Sequence, residues 1–313
     1  MYEVLAEVVR NGFAESRHYG SVAGFAPDGS LAHARGAVAE TVLPRSTTKP
    51  FQALACLKAG APLAGERLAI AAGSHTGEDF HVEAVEGILA DAGVGVDALR
   101  CPPSWPEDEA TRNALVRAGE GESRVRMNCS GKHAAMLAAC AANGWPLDTY
   151  LDPSHPLQRL VRQVMADCAV EDPSPVAIDG CGAPLFGLTL TGLARAARSL
   201  VLDEDARPVA DAMRAHPEYV GGTGHVNTEL MRALPGSVVK GGAEGVLVAA
   251  TAEGRAVAVK VIDGSPRATT AIALRALAAL GADTTQADPL GAVPVLGGGR
   301  PVGEIRTIPE GRP

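Results

Sequence analysis

The chain has 313 residues, of which 46% are hydrophobic, 20% charged and only 4% aromatic, and its formal net charge is −8. That length can bury a large core built mainly from Ala, Val and Leu. The acidic balance and the lack of any basic run argue against nucleic acid as a partner. No apolar run reaches the ~20 residues of a membrane helix, so no membrane role is expected. The start, Met1-Tyr2-Glu3-Val4-Leu5, has no charged-then-apolar leader pattern. The six cysteines (56, 101, 129, 140, 168, 181) are scattered, unlike a disulfide framework, and fit a reducing cytoplasm.

Residues 2–9 and 19–26 read as strands, and Pro27-Asp28-Gly29-Ser30 is a turn before a return strand over 31–39. A helix starts at Lys49-Pro50-Phe51. Ser74 falls in a polar turn after a buried run of small residues. Residues 130–142 read as a helix with Ser130 as its cap. Ser154 or Asp152 is expected to cap a helix running to about 170, with Pro153 or Pro156 in its first turn. Helices are also expected over 186–199 and 206–214. Strands return over 236–240, 244–251 and 255–262, with Ala252-Glu253-Gly254 as a hairpin turn between the last two. A helix over 266–280 follows, and a tail rich in Gly and Pro ends in an edge strand around 302–308. Strands at both ends and helices between them predict an α+β fold. Its N- and C-terminal strands would form one antiparallel sheet packed with helices. A single domain over 1–313 is expected, with a helical sub-lobe over about 125–235.

Ser46-Thr47-Thr48-Lys49 opens the first of these helices. Positions i and i+3 share a helix face, so the hydroxyl and the amine can meet. A lysine beside a serine can replace histidine as the activating base. Lysine is also scarce here, with five against 23 arginines. Arginine cannot give up its proton, whereas a desolvated lysine can. Ser74 is a second hydroxyl that could relay protons, or simply a turn serine. Lys240 ends an apolar strand and is followed by glycines, as in the lysine strand of penicillin-recognising enzymes. Lys260 is its rival, although strand alternation points it toward solvent. Cys129 and Lys132, also at i and i+3, are either a reactive pair or a buried thiol near a helix start. Asp179-Gly180-Cys181-Gly182 brings an acid and a thiol into a glycine-rich bend. Ser-x-x-Lys, a second serine and a strand lysine follow one another in the order seen in serine β-lactamase-like acyl transferases.

Several longer motifs stand in one order through nearly the whole chain. They include Glu15-Ser16-Arg17-His18, Pro44-Arg45-Ser46-Thr47-Thr48-Lys49-Pro50-Phe51-Gln52-Ala53 and Ser74-His75-Thr76-Gly77-Glu78. Further along are Asn128-Cys129-Ser130-Gly131-Lys132-His133-Ala134, His155-Pro156-Leu157-Gln158, Asp179-Gly180-Cys181-Gly182-Ala183-Pro184, Gly242-Ala243-Glu244-Gly245 and Asp263-Gly264-Ser265-Pro266-Arg267-Ala268. On these motifs the chain resembles the asparaginase II family, the Rhizobium-etli-type amidohydrolases. The resemblance implies a β-lactamase/glutaminase-like fold, hydrolysis of L-asparagine to L-aspartate and ammonia, and a homodimer. It pairs Ser46 with Lys49 and Ser74 with Lys240 as catalytic sets. Substrate binding falls to Asp179, Arg45 and His75, with Asp179 toward the amino group. Zinc falls to Cys129, Lys132 and Cys181, beside the active site, where it shapes substrate binding more than it activates water. Two positions depart from the family pattern. Cys101-Pro102-Pro103-Ser104-Trp105-Pro106 lacks a histidine before its last proline, and His225 stands where arginine is usual. Hydrolysis of another small amide, such as glutamine or a lactam, is the competing activity. A sensor that binds an amino acid without turnover is the non-enzymatic alternative.

Overall fold

A computed structural model describes residues 1–309. Its strands are β1 (Glu3–Arg10), β2 (Phe13–Phe25), β3 (Leu31–Arg35), β4 (Thr41–Val42), β5 (Val176–Ile178), β6 (Pro184–Phe186), β7 (Leu188–Thr189), β8 (Val238–Gly242), β9 (Val246–Ala250), β10 (Ala256–Val261), β11 (Pro294–Gly297) and β12 (Arg300–Thr307). The α-helices up to the middle of the chain are α1 (Lys49–Lys58), α2 (Gly65–Ala71), α3 (Asp79–Asp91), α4 (Glu109–Ala118), α5 (Ser130–Asn143) and α6 (Pro156–Ala169). They are followed by α7 (Leu190–Leu202), α8 (Arg207–Ala215), α9 (Pro217–Val220), α10 (Val226–Ala233), α11 (Thr269–Ala279) and α12 (Asp288–Gly291).

The fold is α+β. Eight strands form one antiparallel sheet in the order β11-β12-β1-β2-β10-β9-β8, and β3 also pairs with β2. The two ends of the chain therefore meet in the same sheet. The middle of that sheet is apolar on both faces: five of the six β10 residues are buried. A strand covered on both sides reads as a continuous apolar run rather than an alternation. Val22 of β2 shares a pocket wall with Ile272 and Ala276 of α11. Phe25, three residues on and so on the other face, lies 5.4 Å below the Arg195 guanidinium of α7. Thus α11 and α7 cover opposite faces. One buried cluster continues from Val257 of the sheet through Leu193 of α7 to Leu137 of α5. Around α5 pack α1, α2, α3 and α6. All residues of α5 from Ser130 to Cys140 are buried, which explains its near-total lack of polar side chains after His133.

The structure moves several expected boundaries. β2 begins at Phe13, not 19, because Asn11-Gly12 makes a two-residue hairpin with φ of 48° and 81°. The exposed polar residues of its first half hide the strand from a hydrophobicity pattern. β3 stops at Arg35. α5 is not capped by Ser130: its N-cap is Cys129, and Ser130 Oγ donates to Val125 O at 2.7 Å. α6 is capped by His155, whose ring accepts from Leu157 N, and not by Asp152 or Ser154; Pro156 is its first residue. α7 starts four residues late, at Leu190, because 184–189 form β6 and β7. The last strand, β12, is paired on both sides, and β11 is the edge.

Candidate active site

β8 is the other edge of the sheet, and the turn before α1 packs against it. That turn, Arg45–Thr48, is one 3-10 turn running directly into α1. Arg45 has φ +52°, the left-handed region that a non-glycine residue adopts only under restraint. The restraint is visible: Arg45 Nε donates to Asp179 Oδ1 at 2.8 Å, and Thr48 Oγ1 donates to Arg45 O at 2.9 Å. Gly242 of β8 lies so close that a Cβ there would stand 3.1 Å from Pro44 O and 3.3 Å from Ser46 N. Ser46 is thus set against the end of β8.

Ser74 lies in the loop after α2. Its backbone is fixed by Ser74 N→Val220 O (2.9 Å), His75 N→Asn128 O (3.2 Å) and Thr76 N→Gly221 O (2.8 Å). Its hydroxyl receives both lysines. Lys49 Nζ is 2.8 Å away and Lys240 Nζ 2.9 Å away. Each amine has one further partner, Asn128 O for Lys49 (3.1 Å) and Gly241 O for Lys240 (2.6 Å). Both lysines are 1% exposed. Burial and the charge on Lys49 hold Lys240 well below the ordinary lysine range. Ser46 and Ser74 line one cleft of about 420 Å³, with Glu107, Asn128, His225, Asn227, Gly242 and Thr270 among its other walls. Lys260 is elsewhere: it donates to Glu244 O and Val261 O.

His75 does not line this cleft. It is buried, and its Nε2–H donates to Ser130 Oγ at 2.9 Å, because that hydroxyl already gives its own proton to Val125 O. Burial, His81 and Lys49 push its pKa well below the usual histidine range, so it stays neutral. Asp179 also lies off the cleft wall, where Oδ1 takes Arg45 Nε and Gly180 N.

Cys129, Lys132 and Cys181 do come together. Lys132 Nζ lies 3.0 Å from Cys181 Sγ, and all three side chains are buried. The hydrogen bond between Cys129 and Cys181 lowers the Cys129 thiol well below its usual range and raises that of Cys181. Burial opposes the charge on Lys132, but the two sulfurs overcome it and raise the ammonium. Next to Cys181, His133 Nε2 is buried without a hydrogen-bond partner, while its Nδ1 meets Tyr150 Oη at 2.6 Å. Two thiols and an amine around an unpartnered ring nitrogen fit a soft divalent ion. Among the described residues no group of three or more His, Cys, Asp or Glu side chains is arranged to hold a metal, and this trio reaches three donors only through its lysine.

Pattern reading missed Glu107 and Asn128, and noted His225 only as a departure. Glu107 sits in the loop before α4, tied to the Ser74 loop by Asp108 N→Thr76 O at 3.0 Å. His225 caps α10 by accepting from Asn227 N, and Asn227 Oδ1 in turn accepts from Gly241 N at 3.1 Å. The signal for His225 was its place one residue before a helix; Glu107 lies in a proline-rich loop without periodicity.

Residues 6–307 match the family described as L-asparaginase II. No curated protein matches the sequence. Among solved structures, a β-lactamase from Mycobacterium bovis is similar at 16% identity, over 83% of this chain and 94% of that one, with a TM-score of 0.46. A Bacillus glutaminase is similar at 12% identity, over 79% and 84% of the two chains, with a TM-score of 0.42. The protein named Mglu is similar at 15% identity over 83% of this chain, with a TM-score of 0.42, and this chain spans 59% of its length. Likenesses this low carry no argument about the chemistry. No helix among the described residues is long and apolar enough to cross a membrane.

Proposed function

The chain belongs to the L-asparaginase II family and is an amidohydrolase, and on that footing we propose that it hydrolyses L-asparagine to L-aspartate and ammonia through Ser46. The observation that carries this reading is the Ser74 hydroxyl, bonded to both Lys49 and Lys240 in the cleft that Ser46 also lines. Burial and the charge on Lys49 depress Lys240, and the mechanism starts with Lys240 as the proton acceptor. Ser74 passes its proton to Lys240 Nζ and takes one from Lys49 Nζ. The freed Lys49 amine then removes the Ser46 hydroxyl proton as Oγ bonds to the amide carbon. The Ser46 N–H, beside Gly242, stabilises the developing oxyanion. The C–N bond breaks as Ser74 protonates the nitrogen and is reprotonated by Lys240. Ammonia leaves, and the acyl group stays on Ser46. The Lys49 proton then moves through Ser74 to Lys240; water loses a proton to the freed Lys49 as its oxygen joins the acyl carbon, Ser46 Oγ departs with that proton, and Lys240 returns its own through Ser74 to Lys49. The pairing of Arg45 with Asp179 holds Ser46 in its strained turn.

Cys129, Lys132 and Cys181 would hold Zn²⁺, which when bound supplies a fixed positive charge one residue from the cleft wall at Asn128. Two thiolates and a neutral amine require that the trio release protons on binding.

The test is ammonia release from L-asparagine and L-glutamine by the wild type and by Ser46→Ala. Release from asparagine that disappears in the variant supports the reading. Faster release from glutamine would move the substrate to the longer amide. Unchanged release by Ser46→Ala would remove Ser46 from the chemistry.

A further inference from the structure

A free amino acid brings a positive and a negative group into its site, and each needs a counter-charge or hydrogen bonds there. Among the described residues, Glu107 is the only acid or base lining the cleft besides His225. Burial lowers the pKa of His225, so its ring stays neutral. Glu107 Oε1 accepts Asn128 Nδ2 at 2.6 Å. Among the described residues no hydrogen bond reaches Oε2 and no ion pair joins Glu107 to a cation, although its charge is felt at Lys240. A carboxylate in a substrate cleft, oriented by one hydrogen bond and left with one free oxygen, is a site for a cationic group. The nearby alternative is engaged: Asp179 Oδ1 holds Arg45 Nε and Gly180 N, and its Oδ2 lies 3.9 Å from Cys181 Sγ.

We infer that Glu107 binds the α-ammonium group of the substrate through the carboxylate oxygen that Asn128 leaves free. Asn128 is its positioning residue. The Asn128 backbone carbonyl accepts from Lys49 Nζ while its side chain donates to Glu107, so one residue sets the recognition carboxylate relative to the catalytic amine. The inference rests on the amino-acid-amide reading above. It also implies selectivity: amides without an α-amino group, or with that group blocked, would be poor substrates.

The experiment compares wild type, Glu107→Gln and Glu107→Asp on L-asparagine and on succinamate, the same amide without the amino group. Glu107→Gln keeps the shape and the Asn128 contact but loses the charge. For L-asparagine its KM rises about tenfold or more, the scale of one hydrogen bond to a charged partner, while kcat changes little. Succinamate kinetics stay the same, and Glu107→Asp restores part of the asparagine preference. Equal losses on both amides, or a fall confined to kcat, would overturn the inference. If wild type turns over neither amide, calorimetry with L-aspartate and succinate measures the same interaction without catalysis. A wild-type preference for L-aspartate that Glu107→Gln abolishes keeps the inference while the asparaginase reading falls. No preference in the wild type rejects it.

Discussion

Lys240 Nζ lies 2.9 Å from Ser74 Oγ although the two residues stand 166 positions apart. A strand at one edge of the sheet and a loop after α2 are brought together to share one proton path. Lys49 approaches the same oxygen from α1, so two buried amines flank one hydroxyl. Two ammonium groups so placed would repel each other, and burial together with that repulsion lowers the Lys240 pKa well below the ordinary lysine range.

A pH dependence follows. The pKa of Lys240 is depressed, so its neutral, working form grows as pH rises through that pKa and disappears below it. The kcat/KM of the wild type is expected to climb on an acid limb centred well below lysine's ordinary ~10.4. Lys240→Arg, which stays charged, is expected to lose about a hundredfold or more in kcat without recovering at high pH. A pH–rate profile of both proteins checks this, and a climb retained in the arginine variant would exclude Lys240 as the titrating group.

Gly131 lies in the Cys129-Ser130-Gly131-Lys132 stretch where α5 crosses α2. A Cβ there would sit 2.5 Å from Ile70 O. Because that neighbour is backbone, the two helices must separate. Gly131→Ala is therefore expected to cost about 1–3 kcal/mol of stability, as overpacking in a tight core does. Chemical denaturation measures it, and an unchanged midpoint would show that the helices can yield freely.

Much of this arrangement was legible in the sequence, for reasons that differ by residue. Ser46 and Lys49 stand out because their spacing is local, but the hydrogen bonds of Lys49 Nζ go to Ser74 Oγ and Asn128 O rather than to Ser46. The Cys129–Lys132 pair shows the same i, i+3 spacing, but only folding brings Cys181 to it, across 49 residues. Lys240 and Lys260 look alike as strand lysines; what separates them is that β8 is the edge strand facing the turn that carries Ser46, whereas β10 is interior. Glu107 and Asn128 lie in irregular segments, where no periodicity reports which way a side chain turns. The start of β2 was missed because its first half is polar and exposed, although Asn11-Gly12 carries a hairpin signal of its own.

The metal proposal has a direct check. Protein prepared without chelator is expected to carry about one zinc per chain, by elemental analysis, and Cys181→Ser to carry much less. Stripping the metal is expected to raise KM more than it lowers kcat. Metal-free wild-type protein that cannot be loaded with zinc would rule the trio out as a site.

Gly242→Ala tests the packing of β8 against the nucleophile turn. The added methyl would press on Pro44 O, Thr47 Cγ2 and Ser46 N at 3.1–3.3 Å. Displacing Ser46 by a few tenths of an ångström is expected to lower kcat by about tenfold while stability changes by less than about 2 kcal/mol. A variant with wild-type kcat would mean that the turn tolerates displacement.

The central claim is that Ser46 carries the acyl group while Ser74 relays protons. Peptide mapping by mass spectrometry, after acid quenching of enzyme turning over L-asparagine, tests it most directly. An aspartyl adduct is predicted on the peptide containing Ser46 and none on the peptide containing Ser74. Ser74→Ala is predicted to slow turnover without moving the adduct. An adduct on Ser74 would contradict this mechanism and exchange the roles of the two serines.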